Sequence, residues 1–286
     1  MKKTYPLNQS PLFKITSKKK LALVLGVDLF TQKNLLLSNS FHGFETQAGR
    51  AIQYPIGDLI PIHRKLGLLF SSIEVPEFLT SQRGSSYVKN AGIHKGNIPV
   101  IKTDVSKFYP SVGFGFILRM FIEDFKCAKD VAWILAKLCS YNGVHLPTGS
   151  KISGYVAYFA NRKMFDEIEK LAVLNRCNMT CYVDDIVISG AAANKKLLVQ
   201  IRRIVLRHGL ITKDEKSRCY TANSIKKITG CIVRADKLLL PNIRHRKMSL
   251  IRRQLITEKD PIVRRELEKK LKGRVEEAKQ ILQPHT

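Results

Sequence analysis

The stretch "CNMTCYVDDIVISG", Cys177–Gly190, sets two adjacent carboxylates, Asp184 and Asp185, between two β-prone, apolar runs. The pattern predicts a strand, a tight turn and a second strand. Asp is common in turns because it tolerates unusual backbone angles, but a turn alone explains one Asp and no apolar flanks. The flanks predict that both carboxylates are buried. Adjacent buried carboxylates repel each other unless a cation neutralises them, and oxygen ligands favour a hard divalent metal ion.

A third carboxylate lies in the stretch "IPVIKTDVSKFYPS", Ile98–Ser111. Asp104 ends a β-prone apolar run and precedes the aromatic pair Phe108 and Tyr109, of which Phe108 is predicted to be a core residue. A strand-end Asp is by itself a common surface feature. Followed eighty residues later by an Asp-Asp hairpin, however, it matches the sequence plan of a polymerase palm. Metal ions held by such carboxylates activate a 3′ hydroxyl and stabilise leaving pyrophosphate.

The charge of the chain restricts its partners. The 286 residues carry a formal net charge of +26, and the field of such an excess suits a polyphosphate or an anionic membrane surface. Membrane insertion is not expected, because the apolar run "LALVLGVDLF" is short and is broken by Asp28. No apolar segment follows the first ten residues, so no signal peptide is predicted. We therefore expect a cytoplasmic protein.

The cysteines are predicted to be reduced, mostly buried thiols rather than zinc ligands. They form no CxxC pair and have no histidine cluster nearby. Their positions are Cys127, Cys139, Cys177, Cys181, Cys219 and Cys231.

Helical and β-prone patterns alternate without a regular βαβ repeat, which predicts the α+β class. A hairpin is predicted within Ile225–Pro241, after the strands around Asp104 and Asp184. Helices are predicted around residues 11–40 with Ser17 as N-cap, after Pro61, and over Cys127–Tyr141, Tyr155–Asn175, Lys195–Gly209 and the basic tail Asn242–Gln283.

Five segments together resemble the ordered motifs of reverse transcriptases. "AGRAIQYP" (48–55) resembles the fingers motif, and "DVSKFYPS" (104–111) the first Asp motif. "LPTGS" (146–150) is similar to a Leu-Pro-Gln-Gly loop, and "YVDD" (182–185) to the Tyr-x-Asp-Asp motif. "GLITKDEKS" (209–217) resembles the later lysine motif. All five occur in the family's order.

Two further segments resemble motifs of retron reverse transcriptases in particular. "NAGIH", Asn90–His94, is similar to their Asn-Ala-x-x-His motif. "KITGCIV", Lys227–Val233, resembles their Val-Thr-Gly motif, with Ile228 in place of Val. With these two segments, the resemblance covers nearly the whole chain.

The resemblance implies a right-hand polymerase. An N-terminal extension and fingers would occupy residues 1–98, a palm 99–235 with a fingers insertion at about 113–150, and a basic helical thumb 236–286. The implied activity is an RNA-directed DNA polymerase that copies part of a cognate structured non-coding RNA, using dNTPs, into single-stranded DNA. The product is a branched RNA–DNA molecule (msDNA). The implied context is anti-phage defence with a separate effector protein.

The resemblance also implies the catalytic residues. Asp104, Asp184 and Asp185 would hold two Mg²⁺ ions, with Asp185 the weaker candidate for direct ligation. Lys216 would lie near the pyrophosphate and protonate the leaving group, and Lys213 is the neighbouring alternative.

Nucleotide contacts follow from the same motifs. Arg50 would hold the triphosphate, since a guanidinium matches phosphate oxygens bidentately, unless it is a solvated surface residue. Tyr109 would exclude a 2′ hydroxyl, or would be a core aromatic. Gly149 would allow close backbone approach to the nucleotide, and Ser150 would add a hydroxyl contact. Thr148 stands where relatives carry Gln, which puts a glutamine contact in doubt.

RNA contacts are predicted outside the metal motifs. Asn90 and His94 are predicted to contact RNA and not to act in acid–base chemistry. For this pair the alternative is a structural role in capping a loop; for the tail it is a solvated face. The predicted RNA-binding residues are Asn90, His94, Thr229, Gly230, Arg244, Arg246, Lys247, Arg252 and Arg253.

Three other functions stay open at this point. One is another bacterial reverse transcriptase, of group II intron or abortive-infection type. A second is a non-catalytic RNA-binding scaffold, against which the intact Asp104, Asp184 and Asp185 argue. An RNA-dependent RNA polymerase is less favoured, because Tyr109 would obstruct ribonucleotides.

Overall fold

The computed structural model describes residues 4–28, 40–47, 49–82 and 84–283. The chain forms two compact units that interleave along the sequence. Unit 1 comprises the chain up to Pro76, Val105–Ile168 and Arg203–Thr212, and unit 2 comprises Glu77–Asp104, Glu169–Arg202 and the chain from Lys213 onward. Helices and strands mix in both units, which is consistent with the predicted α+β class. The predicted boundaries of fingers, palm and thumb stay a prediction.

Unit 1 is mainly helical. Its antiparallel hairpin pairs β1 (Phe41–Glu45) with β2 (Ala51–Pro55). Four aromatic rings pack together in its core. The centroid of the Phe70 ring lies 5.8 Å from those of Phe125 and Phe159, and the centroid of the Phe121 ring lies 5.5 Å from that of Phe125. Its helices are Leu7–Gln9 (3₁₀), Lys18–Leu25, Leu59–Phe70, Phe108–Ser111, Phe114–Arg119, Met120–Asp124 (π), Lys129–Cys139, Ser153–Ala160 and the first part of Arg162–Leu174.

The first predicted helix is confirmed over Lys18–Leu25, and residues 29–39 lie outside the described part of the chain. Ser17 caps this helix as predicted, accepting a hydrogen bond from Lys20 N at 3.2 Å. The single helix predicted over Tyr155–Asn175 is wrong, because the chain breaks it at Asn161. The Asn161 side chain donates to Ala157 O at 2.9 Å, a local bond of the kind that competes with the helical backbone.

Unit 2 is built on a four-stranded antiparallel sheet of order β4-β5-β3-β6. The predicted strand–turn–strand around Asp184 forms β4 and β5, and β3 lies beside β5. A second antiparallel sheet has the order β7-β8-β9, one strand more than the predicted hairpin. The strands are β3 Val100–Asp104, β4 Asn178–Tyr182, β5 Asp185–Ser189, β6 Arg218–Tyr220, β7 Lys226–Ile228, β8 Cys231–Val233 and β9 Leu238–Leu239.

The basic tail is helical as predicted, but it forms two helices instead of one. The first ends at Thr257, and the second begins at Pro261, because proline fits the first helical turn and cannot continue a helix. Asp260 caps the second helix, accepting from Ile262 N at 2.8 Å. The helices of unit 2 are Tyr87–Gly92, most of Lys195–Arg207, Asp214–Lys216 (3₁₀), Asn242–Thr257 and Pro261–Leu282.

Within the described ranges, every helix is too short or too polar to cross a bilayer. All six cysteines are free thiols, and five of them are buried, as the sequence predicts.

Candidate active site

The hairpin β4–β5 closes through a two-residue loop, Val183–Asp184, because Tyr182 pairs directly with Asp185. Val183 has a φ of 64°, in the left-handed region. A β-branched residue is disfavoured there, and such strain persists only where the surrounding structure enforces it. The loop therefore turns tightly and keeps Asp184 next to Asp185.

Strand β3 brings the third carboxylate to the same end of the sheet. Asp104, its last residue, pairs with Asp185, the first residue of β5. Asp104 is only 7% exposed. The structure thus brings together the three predicted metal ligands, although Asp104 precedes Asp184 by eighty residues in the sequence.

The carboxylates are short of positive charge. Burial, together with the charge of Asp104, raises the pKa of Asp184 to about 6. Burial also raises the pKa of Asp185, against the opposing effect of Lys102. The buried Oδ1 atom of Asp185 accepts no hydrogen bond from a described residue.

Lysines supply part of the missing charge. Lys213 Nζ lies 3.0 Å from Asp104 Oδ1, and Lys216 Nζ lies 2.9 Å from Asp104 Oδ2. The hydrogen bond to Asp104 raises the pKa of Lys216, so this lysine is a cation at neutral pH. Lys102 Nζ lies 3.9 Å from Asp185 Oδ2. Lys102 was not predicted from the sequence, although a residue two positions before Asp104 in a strand shares its face.

Among the described residues, no three His, Cys, Asp or Glu side chains form a ready-made metal cage. The donor set nevertheless fits a hard divalent cation: three neighbouring carboxylates, two of them with raised pKa values. Two of their buried oxygens accept no hydrogen bond from a described residue, Asp185 Oδ1 and Asp104 Oδ1, the latter in an ion pair with Lys213.

In unit 1, the "LPTGS" loop is fastened to strand β2. The Thr148 hydroxyl donates to Ala51 O at 2.7 Å and accepts from Gln53 N at 3.1 Å. Gly149 N donates to Gln53 O at 2.7 Å, and a Cβ at Gly149 would lie 2.9 Å from that oxygen. The close approach predicted for Gly149 is therefore made to the protein's own backbone.

Ser150 in the same loop is held by His63, a residue that was not predicted from the sequence. His63 Nε2 lies 2.7 Å from Leu138 O and therefore carries the proton that this carbonyl accepts. His63 Nδ1 then accepts from the Ser150 hydroxyl at 2.7 Å. Burial lowers the pKa of His63 to about 4. The Ser150 hydroxyl thus donates its proton to His63. Only the lone pairs of the Ser150 oxygen remain for a contact with a nucleotide.

The other two nucleotide candidates also lie in unit 1. Arg50 is exposed beside the loop that joins β1 to β2. Tyr109 is half-buried in the helix Phe108–Ser111, with its ring 6.0 Å from that of Phe108. Phe108 is buried, as predicted for a core aromatic.

Asn90 and His94 are completely buried in unit 2, so their predicted contact with RNA is wrong for this fold. His94 bridges the two strands of the β4–β5 hairpin: its ring nitrogens are each 2.7 Å from a hydroxyl, Nδ1 from Ser189 and Nε2 from Thr180. Burial lowers the pKa of His94 to about 3, so the ring is neutral. The alternative of a structural pair fits both residues.

Thr229, Gly230 and Arg244 also make contacts within the protein. Thr229 and Gly230 form the two-residue loop of the β7–β8 hairpin, with φ values of 40° and 83°. The Thr229 hydroxyl donates to Tyr87 O at 2.7 Å. Arg244 pairs with Glu277 Oε1 at 2.7 Å and covers the Tyr87 ring at 5.4 Å. These groups are engaged inside unit 2 but all three are partly exposed, so their contact with RNA stays a prediction.

The remaining predicted RNA contacts are accessible. They are exposed cations of the helix Asn242–Thr257, namely Arg246, Lys247, Arg252 and Arg253.

Comparison with known proteins agrees with the motifs. A family described as "Reverse transcriptase (RNA-dependent DNA polymerase)" matches residues 51–237. A retron Se72 reverse transcriptase of Salmonella heidelberg (strain 579083-10) is 25% identical over 190 residues, which cover 62% of this chain and 48% of the relative. A retron Ec48 reverse transcriptase of Escherichia coli is 24% identical over 179 residues, or 61% and 44% of the two chains.

The matched region thus spans about half the length of these relatives. Both are named retron reverse transcriptases, which confirms the resemblance predicted from the sequence motifs. The family match extends over more than half of the chain and includes the three converging carboxylates. The chain therefore belongs to the reverse transcriptase (RNA-dependent DNA polymerase) family.

Proposed function

We propose that this protein is an RNA-directed DNA polymerase. The observation that carries the proposal is the meeting of Asp104, Asp184 and Asp185 at one end of a sheet, with raised pKa values for the last two. Family membership supports the same reaction.

Asp104, Asp184 and Asp185 would hold divalent cations, two Mg²⁺ ions by family resemblance. Such ions supply charge stabilisation to the attacking and leaving oxygens of an in-line displacement. The protein's own part is to keep three carboxylates converged on a strained turn. Lys213 and Lys216 neutralise Asp104, and Lys216 carries a proton at neutral pH that it can give to a leaving pyrophosphate.

The right-hand arrangement is part of this proposal, with residues 1–98 as extension and fingers, 99–235 as palm and 236–286 as thumb. Arg50, exposed near the β1–β2 loop, is proposed to contact the triphosphate. Tyr109 is proposed to exclude ribonucleotides through its ring. Gly149 and Ser150 are proposed to shape the nucleotide site indirectly, because both are tied to unit 1 by hydrogen bonds.

We further propose a retron role: copying part of a cognate structured non-coding RNA into msDNA, in anti-phage defence with a separate effector, in the cytoplasm. The two named relatives support the retron assignment. The net charge of +26 supports a nucleic-acid partner.

The test is RNA-templated DNA synthesis by the purified protein with Mg²⁺ and dNTPs, with the Asp104→Asn variant as control. We expect wild-type protein to extend a primer and the variant to be inactive. Sequencing of the co-purifying nucleic acid would then identify the RNA, and a 2′–5′ branch would identify a retron product. Retention of RNA without any DNA product would favour the scaffold function instead.

A further inference from the structure

A series of hydrogen bonds in unit 2 leads away from the carboxylates. Thr80 N donates to Cys181 O at 2.9 Å, one residue before Tyr182 of the catalytic motif. The Thr80 hydroxyl donates to Asn90 Oδ1 at 2.5 Å. Asn90 is thereby joined to strand β4 beside the Asp-Asp turn.

The series continues from Asn90 to the β7–β8 loop. Tyr87 O can only accept, so the Thr229 hydroxyl gives its proton to Tyr87 O at 2.7 Å. Thr229 Oγ1 must then accept from Asn90 Nδ2, which lies 3.4 Å away. The amide orientation of Asn90 is fixed by Thr229, whose oxygen can only accept here. The Thr80 hydroxyl also lies 3.2 Å from Cys181 O, a second acceptor on strand β4. At position 90 or 229, a side chain that can only accept or only donate hydrogen bonds would break the series.

The far end of the series reaches both C-terminal helices. The Tyr87 hydroxyl donates to Glu277 Oε1 at 2.9 Å and accepts from Arg244 Nη1 at 3.1 Å. Arg244 belongs to the helix Asn242–Thr257, and Glu277 to the helix Pro261–Leu282. We call this series the polar link; its members are Thr80, Tyr87, Asn90, Thr229, Arg244 and Glu277.

An apolar core packs around the polar link. Buried residues of the helix Tyr87–Gly92, the central sheet, the second sheet and both C-terminal helices form one cluster, which includes Val88, Val187, Ile228, Met248 and Ile281. Close-packed interiors transmit displacement instead of absorbing it. The polar link therefore joins elements that also share one apolar core.

We propose that Asn90 and Thr229 are positioning residues that fix the C-terminal helix pair relative to the β4–β5 hairpin. The inference rests on the proposed polymerase function. A duplex held by exposed cations of the helix Asn242–Thr257, such as Arg252 and Arg253, then presents its primer end at a set distance from the carboxylates. Asn90 and Thr229 would serve duplex placement without touching nucleic acid.

The test is Thr229→Val, which keeps the side-chain shape and removes both hydrogen bonds of the hydroxyl. For a duplex of two helical turns, we expect KM to rise about tenfold, in line with the loss of a buried hydrogen bond, with little change in kcat. For a duplex of half a turn, held mainly near the carboxylates, KM should change little. Thr229→Ser, which restores the hydroxyl, should restore KM.

Tyr87→Phe is the second variant, since it removes only the hydroxyl that joins the link to Glu277 and Arg244; we expect the same selective loss. Thr257→Val, which removes an exposed hydroxyl of the helix Asn242–Thr257, is the matched control. An equal loss on both duplexes, or no loss on the long one, would overturn the proposal.

Hydrogen exchange of the free protein separates this proposal from the polymerase function. Thr229→Val should speed exchange in both Asn178–Tyr182 and Asn242–Thr257. This readout needs no activity, so it decides the matter even if the wild-type protein extends no primer. Exchange that rises in the β7–β8 loop alone would show that the link does not couple the two regions.

Discussion

The β4–β5 and β7–β8 hairpins of unit 2 have the same loop length and share one backbone irregularity, at the first loop residue. Each places a β-branched residue at positive φ, Val183 at 64° and Thr229 at 40°. In the second hairpin, the Thr229 hydroxyl is fully used in hydrogen bonds. In the first, the next residues are Asp184 and Asp185, with raised pKa values and a buried oxygen without a hydrogen bond. Backbone strain therefore does not by itself identify the reactive turn; uncompensated charge does.

The largest expected effect is that of Asp184→Asn on DNA synthesis. Removing a ligand of a catalytic ion, the role proposed for Asp184, costs several kcal/mol at the transition state, or about a thousandfold in rate. The metal-free protein should instead gain about 1–3 kcal/mol of stability at pH 7, because ionising a buried Asp with a pKa of about 6 opposes folding. Primer extension with Mg²⁺ and urea unfolding with a chelator measure the two effects.

Asp236→Asn is the matched control, since Asp236 is an exposed Asp of the same unit. It should change neither quantity. If Asp184→Asn retained near-normal synthesis, Asp184 would not be a metal ligand, and uncompensated charge would not identify the reactive hairpin.

Acid should loosen the first hairpin more than the second. The pKa of His94 is about 3 in the fold, against about 6.5 unfolded, so the unfolded chain binds the extra proton between these values. The stabilisation is complete above pH 6.5 and is lost as pH falls, by roughly 2 kcal/mol at pH 5. His63, with a pKa of about 4, acts in the same direction, whereas protonation of Asp184 offsets part of the loss.

Hydrogen exchange at pH 7 and pH 5, corrected for the intrinsic rate, measures this effect in strands β4 and β5. His94→Gln should flatten the pH dependence of unfolding, and removal of the exposed His245 should not. A pH dependence unchanged in His94→Gln would contradict the neutral, buried state of this ring.

Glycine at the strained positions should give unequal results. Thr229→Gly relieves the backbone but leaves Asn90 Nδ2 and Tyr87 O without their partner, so we expect a loss of about 2 kcal/mol. Val183→Gly relieves similar strain without orphaning a polar group, and should change stability by less than about 1 kcal/mol. Thermal unfolding of both variants in metal-free buffer provides the measurement. Equal losses would mean that the hydrogen bonds of Thr229 do not distinguish the two turns.

The smallest expected effect separates the arginines. Arg252→Ala or Arg253→Ala should lower the slope of log affinity for RNA against log salt by about 0.7–0.9 if each contacts one phosphate. Arg244→Ala should leave this slope unchanged but lower the unfolding midpoint, because its guanidinium is bound by Glu277 and Tyr87. A reduced slope for Arg244→Ala would show that Arg244 contacts RNA.

The sequence was sufficient to predict that Asp104, Asp184 and Asp185 come together, because a strand-end Asp followed by an Asp-Asp hairpin matches the sequence plan of a polymerase palm. It was not sufficient for Asn90 and His94. Their burial depends on hydroxyl groups of Thr80, Thr180 and Ser189, two of which are distant in sequence. The sequence of a polar motif is the same whether its side chains contact RNA or buried hydroxyl groups.

His63 was predictable in principle. It falls on the buried stripe of the helix Leu59–Phe70 with Ile62 and Leu66, where a polar side chain needs internal partners. Its partners Leu138 and Ser150 lie in other elements, so only the structure could identify them.

Because Lys213 and Lys216 form ion pairs with Asp104, the protein carries tethered counterions for its own active site. Their local concentration is set by the chain and does not fall on dilution, as that of a free metal ion does. We expect a chelator to silence DNA synthesis without unfolding the protein, and returned magnesium to restore it. The metal-free enzyme would then be a dormant, storable form instead of a damaged one.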